Sequence, residues 1–114
     1  PPGMAGLPAW SPNGEKLALT AGEMLPMVYV GDAEGNNLKA ISGNDQGGIG
    51  PFWSRDGRKI GFSRFNPTMP KGDLFLTNPD GTGEERLTQG DKLALAGAGA
   101  FSPDGKQLLY MAVD

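Results

Sequence analysis

Apolar and polar residues alternate along most of the chain in short runs broken by turn-forming residues. This period of two places successive side chains on opposite faces of a strand. Leu17 and Leu19, Ile60 and Phe62, and Leu108 and Tyr110 fall on one face, while Ala18, Gly61 and Leu109 between them are small or apolar. Such runs suit a sheet covered on both sides rather than on one. No segment sustains a 3.6-residue apolar period with caps, so the pattern predicts no substantial helix.

Three of these runs begin with the same unit. Ala9-Trp10-Ser11-Pro12-Asn13-Gly14-Glu15-Lys16-Leu17-Ala18-Leu19 aligns without a gap with Phe52-Trp53-Ser54-Arg55-Asp56-Gly57-Arg58-Lys59-Ile60-Gly61-Phe62, and with Ala100-Phe101-Ser102-Pro103-Asp104-Gly105-Lys106-Gln107-Leu108-Leu109-Tyr110. Ser54 follows Ser11 by 43 residues and Ser102 follows Ser54 by 48, the spacing of propeller blades. Each unit has the chemistry of a tight turn: Gly accepts positive φ, Asn or Asp bonds its own backbone, and the preceding Ser can hold the turn through its hydroxyl. A second alignment lies between the units, matching Met27–Ser42 with Asp73–Thr88. Both segments read as an apolar strand, an acidic-Gly turn and a closing aliphatic-hydroxyl pair.

The coarse prediction is therefore strands near 8–11, 16–20, 26–31 and 37–42 in repeat one. Repeat two has strands near 50–54, 58–63, 73–77 and 84–88, and repeat three near 98–102 and 106–112. The fold class expected is all-β: a β-propeller fragment of four-stranded antiparallel blades, an incomplete ring of about two and a half blades. All of 1–114 forms one partial propeller, with blades over 8–42 and 50–88 and a half blade over 98–112. A ring closes with four to eight blades, so the end faces are expected to lack neighbours. The chain is accordingly expected to be an excised or processed piece, as its non-Met start also suggests, or to complete a ring with copies of itself.

Phe/Trp-Ser-Pro-Asp-Gly-Lys before an apolar strand, then Asp-Gly and Arg-Leu-Thr, resembles the β-propeller repeat of the TolB family. Similar repeats occur in the propellers of tricorn-type and prolyl-oligopeptidase-type proteases. Ser102–Lys106 and Asn78–Thr88 carry the closest match, and Asn13 and Arg55 depart from the usual Asp and Pro. The resemblance implies a non-catalytic scaffold that binds a protein or another ligand in a bacterial envelope setting, periplasmic or secreted. The alternative it implies is the propeller portion of a larger peptidase or carbohydrate-active hydrolase or lyase.

Composition narrows the chemistry. There is no His and no Cys, which removes Ser/His/Asp and Cys/His nucleophilic sites, His and Cys metal ligands and disulfides. No catalytic constellation or cofactor motif stands out. A net charge of −3 argues against nucleic acid as partner, and no apolar run is long enough to span a membrane. Nineteen glycines and ten prolines recur at repeat-specific turns instead of marking disorder.

Acidic turn residues Asp32, Glu34, Asp56, Asp80 and Asp104 would suit calcium in type but not in spacing, and turn formation is favoured. Glu84-Glu85 is read as a solvated outer edge rather than a glycosidase pair, and Trp10, Trp53 and Phe101 as packing residues. The basic cluster Arg55, Arg58, Lys59, Arg64 and Lys71 is read as a solvated face. The glycine-rich run 43–50 lacks the helix and Lys-Ser/Thr of a phosphate loop. Propeller function resides in strand connections, and two stand out: the lengthened 62–72 connection and the 43–50 connection. The candidate binding residues are Arg64, Asn66, Thr68, Met69 and Lys71 in the first, and Asn44, Asp45 and Gln46 in the second. Expected partners are a protein, copies of this chain, a glycan or a peptide.

Overall fold

A computed structural model describes residues 6–22, 25–42, 47–66, 71–88, 93–95 and 101–113. Among them there are strands and turns and no helix. Repeat one forms a four-stranded antiparallel meander of β1 (Gly6–Trp10), β2 (Lys16–Ala21), β3 (Met27–Asp32) and β4 (Lys39–Ala40). Repeat two forms its counterpart from β5 (Ile49–Trp53), β6 (Ile60–Asn66), β7 (Lys71–Thr77) and β8 (Glu85–Arg86). A single parallel bridge from Gly72 to Leu93 links this blade to the hairpin of β9 (Leu93–Leu95) and β10 (Met111–Val113).

The repeat is visible in the pairing itself. Trp10 opposes Leu17, Trp53 opposes Ile60 and Phe101 opposes Leu108, so the aligned units have the same register. In repeats one and two, one register shift interrupts the first strand pair, between Gly6 and Ala9 and between Ile49 and Phe52. Such a bulge raises local twist.

Ser11, Ser54 and Ser102 hold their turns in the same way. Each hydroxyl donates to the side chain two residues on, Asn13, Asp56 or Asp104, and accepts the backbone N–H five residues on. The turn glycines sit at φ 74°, 74° and 75°, where a Cβ would be strained. The fourth strand of each full blade is followed by an equally regular bond back to the third. Ser42 Oγ accepts the Val28 N–H at 3.0 Å, and Thr88 Oγ1 accepts the Leu74 N–H at 3.1 Å. These are the hydroxyls of the closing pairs.

The core lies between the blades. Ala18, Val28, Val30 and Ile41 of blade one meet Ile60 and Phe62 of blade two, with Trp53 and Phe75 packed against them. Side chains that an isolated sheet would expose are buried by a neighbouring sheet, the arrangement that repeat architectures use. Phe52 lies across Gly61, its cross-strand partner, and a Cβ at Gly61 would fall 2.1 Å from the ring's Cζ. The small residue at this position makes room for that ring.

Two elements differ from expectation. The sequence pattern makes the 62–72 insert a longer connection, but pairing runs on to Asn66 opposite Lys71, so much of it extends the hairpin. In repeat three, the Phe101–Leu108 bridge and β10 fall near the expected strands, yet β10 pairs with Leu93–Leu95, ahead of 98–102. The longer route between β8 and the third turn allows the strand to begin earlier; residues 96–100 lie outside the described part.

Candidate functional site

Antiparallel order sorts the connections by end. β5 runs into the Ser54 turn, β6 returns from it to Asn66, and β7 comes back from Lys71 to a turn at 78–84. All of the Ser-x-Asn/Asp-Gly turns therefore lie at one end. Asn66 and Lys71, which bracket 67–70, lie at the other end with Ser42 and Gly47, which bracket 43–46. The two connections singled out in the sequence thus share an edge. Thr68, Met69, Asn44, Asp45 and Gln46 lie outside the described residues.

Arg64 organises this edge. Its Nε donates to Gly47 O at 3.1 Å and one terminal nitrogen donates to Ser42 O at 2.6 Å, while both terminal nitrogens donate to Glu84 at 3.0 and 3.1 Å. The guanidinium centre lies 4.3 Å from the Phe75 ring centroid and 5.3 Å from that of Phe62, whose own rings stack at 5.6 Å. Four of five donors are used, so Arg64 fixes both ends of the 43–46 connection while its planar head rests on aromatic faces. Glu84 is exposed, as expected of the outer edge, yet it is the anionic partner of this arginine. The solvated-face reading does not hold for Arg64, whose side chain is only 13% exposed. Nearby, Thr88 Oγ1 donates to Asp73 Oδ1 at 2.6 Å.

At the turn end, a crevice of about 270 Å³ opens between the two blades, lined by Asn13, Lys16, Trp53, Asp56 and Pro79 among others. The sequence reading did not single it out. Its polar groups come from two turns 43 residues apart, and only blade packing brings them together.

The acidic residues are engaged by their own turns. Asp56 is held below the ordinary carboxylate range by the Arg58 backbone N–H and then the Ser54 hydroxyl. For Asp104 the Ser102 hydroxyl acts first and then the Lys106 N–H. Asp32 is lowered chiefly by the Asn36 N–H, and Asp80 chiefly by the Thr82 hydroxyl. Donors of this kind stabilise the ionised form. Among the described residues no group of three or more acidic side chains could hold a metal ion.

Four-stranded antiparallel sheets of one repeat, packed face to face with their turns in register, define a β-propeller. No family model matches the chain. Dipeptidyl-peptidase 5 of Porphyromonas endodontalis is 27% identical over 113 residues, spanning 90% of this chain and 15% of that protein. The structure of a putative TolB from Agrobacterium tumefaciens matches 98% of this chain with a TM-score of 0.78 at 20% identity. TolB from Acinetobacter baumannii matches 96% with a TM-score of 0.72 at 22% identity. This chain spans 44% and 27% of those two TolB chains. The fold is thus that of a TolB-type β-propeller, present as an incomplete ring.

Proposed function

We propose that this chain is a non-catalytic propeller module that binds a protein or an extended peptide at the edge organised by Arg64, in a periplasmic or secreted setting. The carrying observation is that the guanidinium of Arg64, on β6, joins both ends of the 43–46 bracket to Glu84, just ahead of β8, at the edge where β6 and β7 bracket 67–70. Binding residues on loops held by a rigid scaffold lose little freedom on association. By residue type, Asn66, Thr68, Met69 and Lys71 would offer donors, a cation and an adaptable thioether, and Asn44, Asp45 and Gln46 amides and a carboxylate. A chain without His or Cys is poorly equipped for hydrolysis by itself. The envelope setting rests on the TolB-type fold.

A second reading is favoured by the dipeptidyl-peptidase 5 match: the same edge would position peptide for a peptidase domain carried elsewhere in a longer protein. Both readings place a peptide at one edge, and they part on whether bound peptide is cleaved.

The test is selection of displayed peptides on the immobilised chain, followed by backbone amide shift mapping of the hits. Hits that shift Ser42, Gly47, Asn66 and Lys71, and that weaken about tenfold with Lys71→Ala and Asn66→Ala together, support the reading. Hits that map only to the Ser11 and Ser54 turns would move the site to the crevice and overturn it.

A further inference from the structure

The two joints between successive Ser-turn units are built from equivalent residues and closed differently. At the second joint a Cβ built at Gly105 would meet Arg55 Cβ at 3.6 Å, so the arginine stem packs on that turn, and Arg55 Nε donates to Ser102 O at 3.3 Å. Ser102 O thus accepts two donors, the arginine and the Gly105 N–H. At the first joint Pro12 holds the position of Arg55 and makes the same packing contact, with a Cβ at Gly57 3.6 Å from Pro12 Cδ. The proline ring carries no donor. The acceptor equivalent to Ser102 O is Ser54 O, which accepts the Gly57 N–H and no other bond among the described residues. The crevice of about 270 Å³ lies at this first joint, where Pro12, Lys16, Trp53, Asp56 and Gly57 line it. Its two charges are unspent. Asp56 uses only Oδ1, for the Ser54 hydroxyl and the Arg58 N–H. Neither Asp56 nor Lys16 belongs to the ion pairs of the described residues, Arg64 with Glu84 and Arg86 with Asp73.

We propose that this crevice binds an arginine whose α-carboxylate is free, either the amino acid itself or the last residue of a peptide. The chain supplies the template for its head: the guanidinium takes the place that Arg55 fills at the second joint, donating to Ser54 O and to the open Oδ2 of Asp56. Charge-assisted bonds of this kind are the strong ones, and a planar fork suits a carboxylate. The methylene stem lies along Pro12 and Trp53. The indole is already fixed, since its Nε1–H donates to Ala9 O at 2.9 Å, so this wall needs little ordering on binding. Lys16 answers the ligand's carboxylate. A guanidinium alone would leave that ammonium as an unmatched like charge, whereas a ligand carrying both signs meets an opposite charge at each end. A volume just under that of ordinary small-molecule pockets suits one amino acid better than a strand. The site lies at the turn end, opposite the Arg64 edge, and goes beyond the peptide-binding reading of that edge.

The test titrates the ¹⁵N-labelled 114-residue chain with arginine, Nα-acetylarginine, Nα-acetylarginine amide and Nα-acetylcitrulline, which has the arginine shape without its charge. Nα-acetylarginine is expected to give saturable shifts at the Lys16, Asp56 and Gly57 amides and the Trp53 indole N–H. The amide and the citrulline are each expected to bind about tenfold more weakly or less, the loss of one charge-assisted contact. Binding of arginine but not of Nα-acetylarginine makes the free amino acid the ligand, and binding of both admits a peptide end. Asp56→Asn should weaken Nα-acetylarginine about tenfold, and its turn should persist, because Asn13 forms the same serine bond in the first unit. Pro12→Arg, which puts at this joint the residue that the next unit already carries, should fill the site and abolish binding. Undiminished binding in Pro12→Arg, equal affinity for Nα-acetylcitrulline or for the amide, or no saturable shift with arginine or Nα-acetylarginine overturns the proposal. Shifts confined to Ser42, Gly47, Asn66 and Lys71 do so as well. If Pro12→Arg does not fold, the comparison of probes on the parent chain still decides.

Discussion

At the scale of single residues, the turn unit shows how a short pattern becomes structure. Ser, Asn or Asp, and Gly are four-residue neighbours whose mutual bonds need no tertiary contact, and all three copies form the same hydrogen bonds. This is why the turns were legible in the sequence. Their titration has a definite sign. Asp56 and Asp104 have folded-state values below those of a free aspartate, so the ionised form favours the fold. That stability is fully present above the range in which the unfolded carboxylate titrates, and it is lost as pH falls through that range and then through the lower folded value. Repeat one has Asn13, which accepts the same serine proton without titrating. Replacing Asp56 and Asp104 by Asn should therefore flatten the acid limb of the urea midpoint between about pH 5 and pH 3. An acid limb as steep as in the parent would show that these turns do not carry it.

At the scale of elements, the eight strands of the two full blades were readable because alternation and turns bound each one, and both are local. The purpose of the closing hydroxyl was not. Ser42 and Thr88 stand beside their aliphatic partners in the sequence, but the N–H groups they accept lie fourteen residues away. In each blade the fourth strand is only two residues long, and the hydroxyl supplies a backbone pairing that a longer strand would have made. Ser42 is fully buried, so Ser42→Ala should strand the Val28 N–H and destabilise the chain by about 1–3 kcal/mol in urea unfolding. Thr88→Val should cost at least as much, since the Leu74 donor is as fully buried as that of Val28 and the same hydroxyl also donates to Asp73. Losses well below about 1 kcal/mol at both sites would mean that the hydroxyl is not acting through a buried donor. The third repeat was harder to read, because its first strand starts at Leu93, where composition sets no boundary and only the partner Met111–Val113 does.

At the scale of the molecule, stability rests on contacts between repeats, and sequence pattern reports these least. The exposures follow repeat position: Leu109 is 76% exposed, whereas its equivalent Ala18 is 0%, and Leu87 is 37% exposed where Ile41 is 3%. Identical roles in the repeat thus give buried or exposed residues according to whether a neighbouring blade stands there. Arg64 is the clearest case. In the sequence it is one of five clustered cations, and its carbonyl partners at Ser42 and Gly47 lie 22 and 17 residues away, across a blade boundary. Its loss should therefore weaken the joint between blades rather than one strand. Arg64→Ala leaves two carbonyls and Glu84 without their donor and uncovers the Phe75 face, which should destabilise the folded chain by about 2–3 kcal/mol, as expected for charge-assisted bonds. Glu84→Gln keeps the carbonyl contacts and removes only the anion, one-third exposed, so its effect should stay near or below about 1 kcal/mol. Arg64→Lys keeps the charge without the planar fork, and it should fall between the two. Amide exchange at Gly48, whose N–H bonds Pro26 O across the same connection, should quicken in Arg64→Ala and not in Glu84→Gln. A stability loss without that local opening would place Arg64 in general packing and remove its role in setting the proposed binding edge.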